Sequence, residues 1–271
     1  MTERPFRFGI VGVPADLPSM TSLARRVEGL GYDTLVSPDP QGELDPMTTL
    51  AAAAAVTTTL HVGTFVAVER FRERRMLAWQ ARSLTSLTNG RFELGLGTGR
   101  PDAATRSAEM GREFGSAGAR VERLGRTLAY LRQQPGRPKL LAAASGPRML
   151  TLAAREADTV TMAWGPRTSE GEARVFIDRF REAAGARMSE IELAANLLAV
   201  GDDPAPWLER FTGVGVAELV AGGAVTVLPG PARQGADTLL RWRDELGISY
   251  ITINAGYVDS FAPVVELLKN P

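Results

Sequence analysis

The sequence predicts one domain, residues 1–271, of the α/β class and folded as a (β/α)8 TIM barrel. Apolar segments of strand length alternate with helical patterns eight times, which is typical of parallel βαβ units. The length suits one barrel of roughly 250 residues, and no linker or charge block divides the chain. A doubly wound open sheet is the alternative. Such sheets usually carry a glycine fingerprint after the first strand, where this chain has Gly12-Val13-Pro14-Ala15.

The eight strands are recognised as short apolar runs bounded by turn residues. Pro14 ends the first run, and Pro38 and Pro40 break the chain after the second. The predicted strands cover residues 6–13, 32–36, 61–68, 92–96, 139–144, 159–163, 192–200 and 248–254.

The helices follow from apolar residues spaced three and four apart. Asp45 and Pro46 have the residue types of an N-cap and a first helical turn, so a helix is predicted through the alanine run that follows them. A long loop is predicted after the fourth strand. The predicted helices lie around residues 20–30, 46–55, 77–87, 121–131, 147–156, 170–184, 206–221, 239–246 and 261–269.

Composition excludes several kinds of site. Basic and acidic residues balance at 31 each, so the chain has no general electrostatic attraction to nucleic acid or anionic membrane. The absence of cysteine excludes disulfides, thiolate metal sites and a cysteine nucleophile. The one histidine, His61, begins its strand, away from the end where barrels place their chemistry, so we interpret it as structural and expect no metal. No apolar segment has the length of a membrane span or signal sequence, and a cytoplasmic protein is expected.

A glycine-rich stretch at residues 89–100 ends the fourth strand. Gly95, Gly97 and Gly99 alternate along it, and residues without a Cβ let a flat or phosphorylated ligand approach the backbone. The other interpretation is that these glycines serve close packing inside the barrel. Both interpretations remain open from the sequence.

A second candidate site begins the helix after the fifth strand. Gly146 and Pro147 leave free N–H groups at the positive end of the helix dipole, which favours an anion. Arg148 is able to add a forked contact to a phosphate. The alternative is an ordinary helix start capped by Ser145.

Three further features lie at predicted strand ends. Asp39 stands where a general acid or base is needed, although an aspartate between prolines is usually a turn residue. A charged patch after the third strand is interpreted as a solvated helix start, or else as a rim that grips an acidic ligand. Aromatic and amide side chains at other strand ends either contact a ligand or cover the barrel. The patch comprises Glu69, Arg70, Arg72, Glu73, Arg74 and Arg75, and the other side chains are Trp164, Asn254 and Tyr257.

Several of these motifs resemble one family. Residues 87–99, Leu-Thr-Asn-Gly-Arg-Phe-Glu-Leu-Gly-Leu-Gly-Thr-Gly, resemble the hallmark stretch of luciferase-like flavin monooxygenases and their deazaflavin-dependent relatives. Residues 145–150 and 153–158 are similar to the family's second signature, residues 120–124 to its fourth helix and residues 247–252 to its last strand. The resemblance implies a luciferase-like (β/α)8 barrel, usually a homodimer, that holds FMN or coenzyme F420 at the mouth. The F420-dependent oxidoreductase branch is the most similar.

The resemblance also implies roles for particular residues. The loop after the fifth strand would contact the phosphate side of the cofactor, backbone after the third strand would hold a cis peptide behind the ring, and the Gly-Thr-Gly segment would line the ring. The implied cofactor contacts are Ala144, Ser145, Gly146 and Arg148; Ala67, Val68 and Glu69; and Gly97, Thr98 and Gly99.

The chain departs from the family pattern around the expected ring site. Relatives commonly have Ser-Asp-His where this chain has Ser37-Pro38-Asp39-Pro40. After the third strand, relatives often have Asn-Asp and then His-Pro, where this chain has Glu69-Arg70 and Glu73-Arg74. Arg100 follows the Gly-Thr-Gly segment where some relatives have Glu. Asp39 and Arg100 are therefore the candidate catalytic residues. Three hypotheses stay open: an F420-dependent oxidoreductase acting on a small molecule, an FMN-dependent monooxygenase, and a barrel that has lost its redox cofactor.

Overall fold

A computed structural model describes residues 4–39, 44–201, 205 and 207–269. Three sequence predictions fall outside the described residues. They are the break at Pro40, residues 202–203 at the end of the seventh predicted strand, and the helix start at Pro206.

Eight parallel strands close into a barrel. In chain order the strands are β1 (Arg7–Val11), β2 (Thr34–Ser37), β3 (His61–Thr64), β4 (Ala67–Val68), β5 (Phe92–Gly97), β6 (Lys139–Ala144), β7 (Thr159–Met162), β8 (Glu192–Leu197), β9 (Ala199–Val200), β10 (Val227–Leu228) and β11 (Ile248–Asn254). The barrel order is β1-β2-β3-β5-β6-β7-β8-β11, and β11 pairs with β1 to close the ring. Strand β4 extends the third position, and β9 pairs with β10 in a separate two-stranded sheet. The predicted barrel class is confirmed.

The helices surround this barrel. They are α1 (Leu17–Gly29), α2 (Pro46–Ala55), α3 (Arg74–Leu87), α4 (Ala103–Glu109), α5 (Ala117–Arg132), α6 (Pro147–Glu156), α7 (Glu170–Ala184), α8 (Leu208–Thr212), α9 (Val216–Ala221), α10 (Ala232–Leu246) and α11 (Val258–Lys269). Asp45 caps α2 by accepting a hydrogen bond from the Thr48 N–H, with Pro46 in the first turn as predicted.

The structure corrects the predicted elements in four places. The strand predicted over residues 192–200 is divided into β8, in the barrel, and β9, which pairs with β10 outside it. The loop expected after the fourth strand contains α4. The helix expected over residues 206–221 is divided into α8 and α9, because Gly213 has φ +70° and ends α8 in the left-handed conformation. The strand predicted over residues 61–68 is β3 and β4, separated by Phe65 and Val66, which a cis peptide bond joins.

The interior of the barrel has little room between adjacent strands. A Cβ on Gly95 would lie 2.1 Å from the carbonyl oxygen of Thr64, so no larger residue fits there without moving the backbone. At the N-terminal ends of the strands, charged side chains fill the interior. Arg7 donates to Glu93 at 2.5 Å and to Glu192 at 2.6 Å, and its guanidinium lies 4.6 Å from the ring centroid of Tyr250.

The two carboxylates have further partners. Thr159 donates its hydroxyl to Glu192 at 3.1 Å, and Nδ1 of His61 lies 3.1 Å from Glu93, so the histidine is at the end of the barrel opposite the strand termini that carry chemistry. Burial by itself raises the pKa of Glu93, but the hydrogen bond with His61 and the positive charge of Arg7 outweigh burial and hold this pKa below its ordinary value.

Replacing Arg7 tests this network. Arg7→Ala leaves two buried carboxylates without their main cation, so we expect the free energy of unfolding to fall by about 3–5 kcal/mol. Urea denaturation measures the loss. The matched control is Arg25→Ala, which removes an exposed arginine from α1 and should change stability by less than about 0.5 kcal/mol. Equal effects of the two changes would contradict the role given to Arg7.

Glu28 supplies a pH-dependent contact between α1 and the segment before β3. One of its carboxylate oxygens accepts the N–H groups of Thr58, Thr59 and Leu60 at 2.7–2.9 Å and the Thr59 hydroxyl at 3.0 Å. Burial raises the pKa of Glu28, but these hydrogen bonds outweigh burial and lower it to about 2.

The lowered pKa predicts how the contribution of Glu28 to stability changes with pH. Because the folded pKa is below the unfolded value of 4.5, Glu28 stabilises the fold fully above pH 4.5 and loses that contribution as pH falls towards 2. Glu28→Gln should cost about 1 kcal/mol at pH 7, and the difference from wild type should shrink in acid. Thermal unfolding across this pH range measures it, with Glu122→Gln on the exposed face of α5 as control. A difference that is independent of pH would count against the carboxylate's role.

Candidate active site

The carboxyl ends of the strands meet at one rim, where barrels place their catalytic groups. Strand pairing sets Gly97 beside Val68 and Ala144 beside Met162 at this rim. Phe65 and Val66 pack against buried side chains of the interior, namely Leu141, Ala194 and Tyr250. The mouth therefore has an apolar floor.

The Gly-Thr-Gly segment is shaped by its neighbours. A Cβ on Gly97 would lie 2.7 Å from Val66, and one on Gly99 would lie 3.1 Å from the ring of Phe114. Gly99 also has φ +80°, which disfavours any residue with a side chain. The packing interpretation thus accounts for both glycines, and it leaves half-buried Thr98 between them at the rim.

Helix α6 begins at this rim without a side-chain cap. Gly146 is the N-cap, Pro147 occupies the first turn, and Ser145 is exposed one position earlier, so the expected capping by Ser145 is wrong. No atom lies within 4 Å of a Cβ placed on Gly146, which leaves the helix start open. Buried Ala144 is fixed by its carbonyl, which accepts the Ala163 N–H at 2.9 Å. The uncapped N–H groups and the helix dipole suit an anion.

Two arginines lie at the first turn of α5. Nη1 of Arg148 is 3.2 Å from a Cβ placed on Gly118, at the first turn of α5. Arg120 donates to the Gly115 carbonyl at 2.9 Å, and its guanidinium lies 4.3 Å from the centroid of the same Phe114 ring that contacts Gly99. Nε of Arg120 is buried and has no hydrogen-bond partner. Arg120 follows Gly118 by two residues, about 200° around α5, so it lies on a different face of this helix from the contact with Arg148. Arg148 and the uncapped N–H groups are the features that fit a bound phosphate group.

The environment of Asp39 differs from that of a proton donor. The buried carboxylate accepts the Val68 N–H at 2.7 Å and two hydrogen bonds from Arg72, at 2.5 and 2.8 Å. Arg72 also donates to Asp45 at 2.5 Å. Burial raises the pKa of Asp45, but Arg72 and Thr48 outweigh it and hold that pKa below its ordinary value. These contacts tie the loop after β2 to β4 and favour a positioning role for Asp39 over the predicted proton transfer.

The charged residues after β4 turn away from the mouth. Glu69 accepts hydrogen bonds from Arg123 at 3.1 Å and Thr127 at 3.0 Å, both on α5. Arg70 donates to the Glu113 carbonyl at 2.6 Å. Of the expected set Ala67, Val68 and Glu69, the carboxylate of Glu69 is therefore held by α5. The cis peptide expected in this set is instead the preceding Phe65–Val66 bond. Arg100 is exposed, and its carbonyl accepts the Ala103 N–H at the start of α4.

The other side chains predicted at strand ends make structural contacts. Asn254 accepts the Gly256 N–H at 2.9 Å and Tyr257 accepts the Ala205 N–H at 2.8 Å, so both shape the loop after β11. Trp164 packs edge-on against Phe176. Sequence reasoning missed half-buried Asn196, whose amide oxygen accepts the Thr252 hydroxyl at 2.9 Å across β8 and β11. The two-residue alternation along these strands was the available signal.

Comparison with known proteins adds a family. Residues 5–133 match the model of the luciferase-like monooxygenase family. A 5,10-methylenetetrahydromethanopterin reductase of Methanolobus tindarius is 27% identical over 252 residues, which cover 85% of this chain and 75% of that protein.

Solved structures show the same fold. An F420-dependent secondary alcohol dehydrogenase, in complex with an F420-acetone adduct, superposes with a TM-score of 0.77 at 15% identity, covering 96% of this chain and 98% of that one. The coenzyme F420-dependent tetrahydromethanopterin reductase of Methanopyrus kandleri gives 0.71 at 17% identity and 98% coverage of both chains. The EDTA monooxygenase of Chelativorans sp. BNC1 gives 0.73 at 16% identity, covering 97% and 94%.

Two further features concern metal sites and membrane-spanning helices. Among the described residues, no cluster of three or more histidine, cysteine, aspartate or glutamate side chains is arranged to hold a metal ion. In the same part of the chain, every helix is too short or too polar to cross a membrane.

Proposed function

We propose that this chain, of which residues 5–133 match the luciferase-like monooxygenase family model, is an oxidoreductase that transfers hydride between coenzyme F420 and a small organic substrate. The observation that carries the proposal is the phosphate cradle at the rim, where the uncapped start of α6 and Arg148 adjoin Gly118 on α5. The similar reductase and the two F420-dependent barrels support the deazaflavin over other cofactors.

Each group of residues has a proposed task in holding the cofactor. The phosphate side contacts Ala144, Ser145, Gly146 and Arg148. The ring side contacts the backbone of Ala67, Val68 and Glu69 and the segment Gly97, Thr98 and Gly99. When bound, a deazaflavin supplies hydride transfer, so the protein contributes binding, orientation and exclusion of water.

The substrate side of the mouth combines apolar and polar contacts. Phe65 and Val66 form the apolar floor, which keeps water from the reacting atoms. The Asn196–Thr252 pair is positioned to orient a polar substrate group. Arg100, next to Gly99 and exposed, is our candidate contact for an anionic substrate group. Asp39 keeps the loop after β2 in place through Arg72.

An FMN-dependent monooxygenase is the second candidate function, because the same phosphate cradle suits FMN and monooxygenases share the fold. Loss of the cofactor is the third. The departures at Asp39 and at Glu69-Arg70 favour it, but the contacts of Glu69 and Arg70 lie on α5 and on the segment before it, so neither side chain fills the mouth.

Fluorescence titration with F420 and with FMN separates these functions. We expect saturable binding of F420 and none of FMN. Arg148→Ala should weaken binding by about 1–3 kcal/mol, roughly five- to one-hundred-fold, because a charged hydrogen bond to phosphate is lost. The matched control is Arg179→Ala on the exposed face of α7. Binding of FMN alone supports the second function, refusal of both ligands supports the third, and an unchanged affinity in Arg148→Ala removes that residue from the site.

We also propose that the protein is a homodimer in the cytoplasm. Helix α3 buries Leu77, Ala81 and Leu84 against the barrel but exposes large apolar side chains on its outer surface. Met76 is 46% exposed, Trp79 60% and Leu87 79%. Large exposed apolar side chains on one helix are typical of a protein interface, and a second copy would cover both helices symmetrically.

Charge insertion on this face tests the dimer. Wild type should elute as a dimer in size-exclusion chromatography with light scattering at micromolar concentration. The double change Trp79→Glu and Leu87→Glu should give a folded monomer, since two buried charges would face their copies across the axis. Val175→Glu, which alters an equally exposed apolar residue on α7, serves as control. A monomeric wild type, or dissociation by the control alone, would rule out this interface.

A further inference from the structure

A second concave site lies outside the barrel mouth. A cavity of about 220 Å³ opens between the 3₁₀ turn Glu69–Phe71, the first turn of α3, the segment before α5 and α5 itself. Two glutamates, Glu69 and Glu73, line it. Six arginines line it as well: Arg70, Arg72, Arg74, Arg112, Arg123 and Arg126. Arg70, Arg72 and Arg74 are close in the sequence and belong to the charged patch after the third strand. Folding brings the other three arginines to them from outside that patch.

Two of the six arginines are neutralised. Arg72 is bound to Asp39 and Asp45, and Arg123 is bound to Glu69. Among the residues that the structure describes, the other four form no ion pair with a carboxylate. The carboxylate of Glu73, which caps α3, offsets part of this charge, and the four guanidinium groups leave the cavity with a net positive potential.

Three of these four arginines are held in position by backbone carbonyls or an aromatic ring, and these contacts do not neutralise their positive charge. Arg70 donates to the Glu113 carbonyl at 2.6 Å and Arg112 donates to the Arg70 carbonyl at 3.3 Å. The guanidinium of Arg74 lies 5.0 Å from the ring centroid of Tyr130, and its Nε is buried with no hydrogen-bond partner. A buried N–H without an acceptor is costly in a finished fold, so Arg74 is a donor that a ligand would satisfy.

Helix α5 separates this cavity from the phosphate cradle at the mouth. Gly118 and Gly125 face α6, where their Cβ positions lie 3.2 Å from Arg148 and Leu152. The Arg123–Thr127 face of the same helix contacts Glu69 on the opposite side. Residues five apart on a helix differ by about 140° in direction. The two basic sites therefore lie on different faces of one helix.

We propose that this cavity binds a compact oxyanion with at least two negative charges, carried on phosphate or carboxylate groups. Planar guanidinium groups bind both kinds of oxygen pair through forked hydrogen bonds, and convergence from several sides favours a multivalent anion over chloride. The larger neighbouring cavity shares Arg72, Glu73 and Arg112 and is lined by Phe71 and Met110, so the apolar remainder of a larger ligand has a place beside the anionic group. This site does not depend on the proposed redox function.

Calorimetric titration of the cofactor-free protein with inorganic pyrophosphate, and separately with citrate, tests the site. We expect saturable binding of at least one anion, and the comparison identifies the phosphate or the carboxylate class. Arg126→Glu should weaken the binding by more than about tenfold, because it replaces an exposed cation of the cavity by a like charge to the ligand. Arg74→Gln should weaken it as well, and it keeps a hydrogen-bonding side chain at the first turn of α3.

The control is Arg82→Glu, with the same charge change on the exposed face of α3. Because this helix also carries the proposed dimer face, the oligomeric state of the variant is checked by light scattering before the titration. It lies eight residues from Arg74, about 12 Å along the helix, which exceeds the Debye length of about 10 Å at 0.1 M salt. Binding in this variant should stay within about twofold of wild type. Arg148→Ala should also leave anion binding to this cavity unchanged. The proposal is overturned if neither anion saturates by about 10 mM, if Arg82→Glu weakens binding as much as Arg126→Glu, or if Arg148→Ala abolishes it and so places the anion in the mouth.

Discussion

The ion-paired cluster of Asp39, Arg72 and Asp45 is the contact on which the rim of the barrel depends. Arg72 bridges a strand end and a helix cap, while Asp39 also holds the Val68 N–H. Asp39 and Arg72 are largely buried, and buried charges are stable only when they are paired and hydrogen-bonded, as both are here. Removing one partner would therefore loosen the loop after β2 and the start of β4 together. A residue at a catalytic position in the sequence thus acts as a structural bridge.

The same cluster changes the chemistry available at the mouth. With Asp39 bound to a guanidinium and His61 at the far end of the barrel, neither side chain offers a proton to a substrate in the mouth. The polar groups that remain, such as the Asn196–Thr252 pair, orient a substrate by hydrogen bonds. This arrangement suits a reaction whose difficult step is supplied by a bound hydride carrier, with the protein providing placement and a dry floor.

Helix α5 organises the basic residues on this side of the molecule. One face approaches α6, where glycine permits the close contact of Gly118 with Arg148. Another face presents Arg123 to Glu69 and so fixes the turn after β4. The helix therefore connects the phosphate cradle to the arginine-lined cavity without merging them, and both sites rely on its correct packing against the barrel.

The sequence by itself determined the eight barrel strands and most helices, because strand and helix patterns depend on local alternation and on caps such as Asp45. It also located the uncapped helix start at Gly146, since glycine followed by proline is a local signal. Tertiary structure decided what each charged side chain does. Asp39 and Arg72 are 33 positions apart, and Glu69 and Thr127 are 58 apart. Residue type and local spacing carry no information on which distant partner a side chain meets. The pairing of Asp39, the turning of Glu69 towards α5 and the convergence of six arginines all follow from barrel closure, which brings these segments together.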